Sequence, residues 1–85
     1  MAEYRIEIKK SAARELARLA KRDLRLIVAR IRALAEDPRP SGCKKLCAEE
    51  KYRLRQGRYR ILYRIEDDVL VVYVVKIAHR REAYR

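Results

Sequence analysis

Between Tyr52 and Arg64 the sequence places arginine at 53, 55, 58, 60 and 64, interleaved with tyrosine and aliphatic residues and with no acid among them. Guanidinium groups stay charged at any physiological pH and offer a planar fork of donors that matches two phosphate oxygens, so a row of them suits a phosphodiester. Alternation decides which side chains share a face. Tyr52 and Leu54 point one way and Arg53 and Arg55 the other. Beyond a turn at Gln56-Gly57, the row Tyr59, Ile61, Tyr63, Ile65 opposes the row Arg58, Arg60, Leu62, Arg64. If the apolar rows meet a helical layer, Arg53, Arg55, Arg60 and either Arg58 or Arg64 collect on the open face, where like charges repel unless an anion lies between them. Forks on phosphates and tyrosine rings under bases would make that face a cradle for single-stranded nucleic acid. The single histidine, His79, is the side chain whose ordinary pKa lies near neutrality, and it is the candidate for an acid or base role.

The elements that must hold these residues follow from periodicity. Tyr4, Ile6 and Ile8 alternate with Arg5, Glu7 and Lys9, the pattern of a strand with one buried face. Ser11 reads as a helix N-cap, with Ala13, Leu16, Leu19 and Ala20 on the apolar side. Asp23 reads as the cap of a second helix whose stripe is Leu24, Ile27, Val28, Ile31, Leu34 and Ala35. Asp37-Pro38-Arg39-Pro40-Ser41-Gly42 is a loop, because neither proline continues a helix. Tyr52 to Arg55 and Arg58 to Ile65 form a hairpin, and Glu66-Asp67-Asp68 makes the next turn. Val69 to Ile77 is nearly all apolar and β-branched, which predicts a central strand covered on both faces. The expected architecture is α+β in the order β-α-α-β-β-β, with a helix hairpin on one face of a mainly antiparallel four-stranded sheet. The basic run from His79 to Arg85 should then emerge near the turn that begins at Asp37.

Composition narrows the partners. The 85 residues suffice for one core and one domain, residues 1–85. The 23 Lys and Arg against 12 Asp and Glu leave +11, an excess whose self-repulsion an anionic partner would relieve. No apolar run approaches a membrane span and the first residues lack a signal-peptide core, so the expectation is a cytoplasmic protein that does not meet membranes. Cys43, Cys47 and His79 cannot complete a four-ligand zinc site, so no metal is expected, and two free thiols are the expectation for the cysteines.

Several blocks in order extend this reading: Tyr4 to Ile8 with Ser11 and the helix after it, Asp37-Pro38-Arg39-Pro40 to Gly42, Lys44-Lys45-Leu46, Tyr52-Arg53-Leu54-Arg55, Gly57 to Tyr63, and Ile77-Ala78-His79-Arg80-Arg81-Glu82-Ala83-Tyr84. Together they resemble the RelE/ParE toxin superfamily from Tyr4 to Tyr84. The resemblance implies a fold similar to small microbial ribonucleases and the toxin half of a type II toxin–antitoxin system. RelE-like members cut messenger RNA in the ribosomal A site with no metal or cofactor, by attack of the RNA's own 2′-hydroxyl; ParE-like members bind DNA gyrase and cleave no RNA. Residues of the right kind at positions 53, 55, 60, 80 and 84 favour the RelE-like branch over the gyrase inhibitor or a plain RNA-binding module.

By that likeness Arg53 and Arg60 clamp the scissile phosphate, Arg80 faces the leaving group and Tyr84 stacks on a base. Arg55, Arg58, Lys44, Lys45 and Arg81 hold flanking RNA. Some relatives carry lysines where this chain has Arg53 and Arg55, and arginine has no acceptor with which to take a proton, which leaves His79 as the acid–base candidate. The implied partners are the ribosome with its messenger RNA, and a RelB-like antitoxin whose acidic, partly disordered segment folds over the basic face in a heterotetramer or larger assembly.

Overall fold

Ile6 packs against the core while Arg5 pairs with Glu7 at 2.8 Å on the wet side, and this alternation forms the first strand, β1 (Arg5–Ile8), of a helix-on-sheet fold, although Ile8 at its end is exposed. In the computed structural model, which describes residues 3–46 and 51–79, there follow α1 (Lys10–Ala17), α2 (Lys21–Ala33), β2 (Lys44–Leu46), β3 (Lys51–Gln56), β4 (Tyr59–Glu66) and β5 (Val71–His79). The α+β class and the helix hairpin agree with the sequence reading. The sheet has five strands rather than four, in the order β1-β5-β4-β3-β2. The extra strand, β2, is three residues long and mostly charged, too short to show a period. All neighbours are antiparallel except β1 and β5, which are parallel. No helix among the described residues is long and apolar enough to cross a membrane.

Both helices start before the expected caps. Lys9 and Ala20, each extended, occupy the cap positions with no side-chain cap bond. Ser11 thus lies inside the first turn of α1, and Asp23 lies in the first turn of α2, where its charge suits the helix dipole. On α1 the buried residues are Ala12 and Leu16, one step round from Ala13, which is exposed.

The core lies between the helices and one face of the sheet. Ala12, Leu16, Ile27, Ile31 and Leu34 pack over Tyr52, Leu54, Ile61, Tyr63, Ile65, Val72, Val74 and Ile77. Each fully buried large side chain contributes about 1.5–3 kcal/mol of burial. Gly57 opens the two-residue β3–β4 loop at φ 60°, the first central position at which such a hairpin turn requires positive φ.

Strand β5 departs from its expectation. Val69 and Leu70 are exposed in the turn, with Leu70 at φ 53°, and the strand runs on to His79. Leu62 pairs with Lys76 and Tyr63 with Val74, so a bulge leaves Val75 unpaired. The helix-facing set on β5 therefore changes parity, from Val72 and Val74 to Ile77 and His79. The other face is not fully covered, since Tyr73 and Val75 are half-buried and Lys76 is exposed.

Beyond Val74, β5 has no β1 neighbour. There the Glu15 carboxylate accepts the Ile77 amide at 3.0 Å and pairs with Lys76 at 3.4 Å, satisfying a backbone donor on the free edge.

At the other end of the sheet a polar clasp gathers the Asp37–Gly42 loop. The Arg39 guanidinium donates two bonds to Asp67, at 3.2 and 2.8 Å, and its Nε donates to the Tyr52 hydroxyl at 3.0 Å. The Tyr4 hydroxyl donates to Asp67 at 2.6 Å. Arg39 first and Tyr4 second pull the Asp67 carboxyl down to about 2. The loop therefore lies beside the start of β5, not near its end. The chain leaves β5 at the opposite end, where His79 pairs with Tyr59 next to the Gly57 turn.

Candidate nucleic-acid interface

Strand parity produces the arginine face. In the β3–β4 ladder Arg55 lies directly across from Arg60 and Arg53 across from Leu62, so all three arginines sit on the side away from the helices. Arg55 and Arg60 are the close pair, since directly opposed residues have Cβ atoms about 5 Å apart. Arg53 is one strand repeat further along, about 7 Å. Arg64 belongs to the same row but lies 3.9 Å from Glu66. Among the described residues, none of Arg53, Arg55 and Arg58 is in an ion pair.

Burial separates the arginines by role. Arg60 is 2% exposed and is the buried charged residue of the described chain. Its neighbour in the row on β5 is Ala78, also fully buried, whose methyl leaves room for the longer side chain. A buried guanidinium loses its conformational freedom in folding and is fixed before any ligand arrives. Arg53 is half-buried, and Arg55 and Arg58 are exposed. Arg55, Arg58 and Arg60, with Gly57 and Tyr59, line a pocket of about 90 Å³ at the hairpin end. Three cations round a pocket of that size can receive one phosphate group, with two exposed guanidiniums beside a buried one.

The other expected residues divide. Lys44 pairs with Arg53 across β2–β3 and extends the row on the same face. Lys45 pairs with Tyr52 and so points to the helix side, where it shares an open basin with Arg39, Arg64 and Asp67. His79 is also on the helix side: its ring meets Tyr59 edge to face at 5.3 Å and lines a cavity of about 330 Å³ with Glu15, Arg18, Leu19 and Ile77. The sheet thus lies between that imidazole and the arginine row. Arg80, Arg81 and Tyr84 lie outside the described residues, as does Cys47, while Cys43 is a free, half-buried thiol.

Three features were missed in the sequence. The Arg39–Asp67 clasp joins residues 28 apart, a separation at which no local pattern shows pairing. Leu62 is an apolar patch within the arginine row, half-buried, which the row assignment contained but which received no role. Tyr63 is buried and donates to the Pro38 carbonyl at 2.8 Å; burial, above all, pushes its phenol far above the ordinary tyrosine range.

The chain matches over residues 6–84 a family described as the ParE toxin of type II toxin–antitoxin systems, parDE. It is 33% identical to Toxin RelG of Mycobacterium tuberculosis, covering 96% of this chain and 97% of that one. A RelBE toxin–antitoxin complex from the same organism superposes with a TM-score of 0.82 at 31% identity, over 94% of each chain. An archaeal RelE–RelB complex from Pyrococcus horikoshii does so with a TM-score of 0.84 at 28% identity, over 94% of this chain and 97% of that one.

Proposed function

Because the chain belongs to the RelE/ParE superfamily of type II toxins, on its RelE-like side, we propose that it is a ribosome-dependent endoribonuclease that cuts messenger RNA in the A site. The observation that carries this reading is the arginine face: Arg53, Arg55 and Arg60 share one side of the β3–β4 ladder, with Arg60 buried and Arg58 closing the pocket at its end.

RNA carries its own nucleophile, so the protein's task is to seat the phosphate and stabilise the charge that builds on its oxygens as the 2′-hydroxyl attacks. Arg60, fixed in the sheet, and Arg53 hold the scissile phosphate, a contribution of about 3–4 kcal/mol per donor. Arg55, Arg58 and Lys44 hold the flanking backbone; Arg80 serves the departing 5′-oxygen, Tyr84 stacks on a base and Arg81 adds a phosphate contact. Lys45 and His79, on the helix side, take no step in this scheme, and the catalysis is electrostatic and positional. The partner that silences the toxin is a RelB-like antitoxin, whose acidic segment would neutralise the same guanidiniums; the similar solved chains come from RelBE and RelE–RelB complexes.

Ribosomes programmed with end-labelled messenger RNA test the proposal. It expects a cut within the A-site codon that disappears when the nucleotide 5′ of the cut is 2′-deoxy. Inhibition of gyrase supercoiling with the message left intact would replace it with the ParE-like reading.

A further inference from the structure

The greater part of the positive charge is not on the arginine face. Residues 9–33 carry nine Lys and Arg against two Asp and Glu, and so hold seven of the chain's eleven net charges. Those residues form the helix hairpin, on the other side of the sheet. Of the two acids, Glu15 is engaged by Lys76 and the Ile77 amide and Asp23 is half-buried. Arg14, Arg18, Lys21, Arg22, Arg25 and Arg32 are all exposed, and among the described residues none of them is in an ion pair. Arg14 and Arg18, Lys21 and Arg25, and Arg22 and Arg25 stand at the three- and four-residue spacings at which like charges on a helix repel. From Arg22 to Arg32 the charge runs about 15 Å along α2.

Two kinds of polyanion could relieve this field, and the surface separates them. Leu24, Val28 and Ala29 form a shallow apolar groove between Arg25 and Arg32, which an acidic peptide could fill. Such a peptide would meet two of the six cations and leave Arg14, Arg18, Lys21 and Arg22 outside the groove. The hairpin also contains no aromatic residue from 9 to 33, so it has no ring on which an unstacked base could rest, the feature that single-strand surfaces use. Cations without rings suit the phosphate lines of a duplex, where bases remain stacked and recognition is by backbone and shape.

We infer that the α1–α2 hairpin is a second nucleic-acid surface, gripping the backbone of folded, double-stranded RNA while the arginine face across the sheet takes the single strand. Docking and cleavage are then carried by separate faces of one small domain. The choice of RNA rests on the proposed function; the location of the surface does not.

The test is binding of the full chain to a labelled, blunt RNA duplex of about 16 base pairs, measured across a salt series. The variant Arg14→Gln, Arg18→Gln, Arg22→Gln, Arg25→Gln keeps residues of good helix propensity, and circular dichroism checks its fold. It should bind more than about tenfold more weakly near physiological salt, with the slope of log K against log salt shallower by about three units for four lost contacts. The same four changed to Lys should bind as the native chain does, and Arg53→Ala with Arg55→Ala should leave duplex binding intact. Native affinity and slope in the glutamine variant would overturn the inference. So would loss of an acidic antitoxin peptide in its place, or equal loss of duplex binding in the sheet-face variant. A chain that cut no message yet bound duplex through its helices would remove the proposed function and leave this surface standing.

Discussion

Tyr63→Phe removes one oxygen atom and should cost a large part of the stability of so small a domain. The hydroxyl donates to the Pro38 carbonyl at 2.8 Å inside the protein, and both residues are buried. The phenylalanine ring keeps the stack on Tyr52, at 5.8 Å between centroids, so packing is conserved and the carbonyl is left without its donor. A buried acceptor stripped of its partner costs about 1–3 kcal/mol. For a chain of this length each kcal/mol is worth about 4–8 °C in Tm, so a mid-range loss of about 1.5–2 kcal/mol lowers Tm by about 6–16 °C. Urea unfolding should show a lower midpoint at unchanged slope, because the surface exposed on unfolding is the same. Alkali supplies a second readout. Burial raises the Tyr63 phenol in the folded state, whereas in the unfolded chain it ionises near 10. The native protein therefore holds this contribution below about pH 10 and loses it as pH climbs further, and the phenylalanine variant, with nothing to ionise, should close the gap there. A variant within about 0.3 kcal/mol of the native chain at neutral pH would refute the claim that this bond ties the 37–42 loop to the sheet.

The clasp at the same end responds to acid. Asp67 sits at about 2 in the folded state, so its contribution is complete above the ordinary aspartate value near 3.9 and disappears as pH falls through about 2. Asp67→Asn should lower Tm by a few degrees at neutral pH and match the native chain near pH 2; a constant difference across that range would contradict the assignment. His79→Ala should keep cleavage within about threefold, against the 10²- to 10⁴-fold that an acid or base normally supplies; a larger loss in a properly folded variant would return the imidazole to the chemistry.

The arginine face was legible because three local signals agree. The alternation in Tyr52 to Arg55, the glycine at 57 and the alternation in Tyr59 to Ile65 fix parity on both strands of a two-residue hairpin, and parity alone puts Arg53, Arg55 and Arg60 together. What hid the position of His79 is equally local. A run of valines and isoleucines presents the same pattern before and after a bulge, so the change of face at Val75 left no trace in the residue types. The burial of Arg60 depends on the small neighbour Ala78, a residue brought beside it by strand pairing. The helix starts were misplaced by two residues at Ser11 and by three at Asp23, because a favourable capping residue is a preference that packing overrides. The whole-chain charge pointed to an anion but not to where it sits, and most of that charge lies on the helices.

Single-turnover cleavage of messenger RNA on programmed ribosomes by Arg53→Ala and Arg60→Lys, each checked for native circular dichroism, tests the central claim most directly. If the guanidiniums on the open face stabilise the charge of the transition state, each change should slow the chemical step by about 10²- to 10³-fold while ribosome binding persists. Rates within about threefold of the native chain in both variants would mean that the arginine face does not carry the reaction.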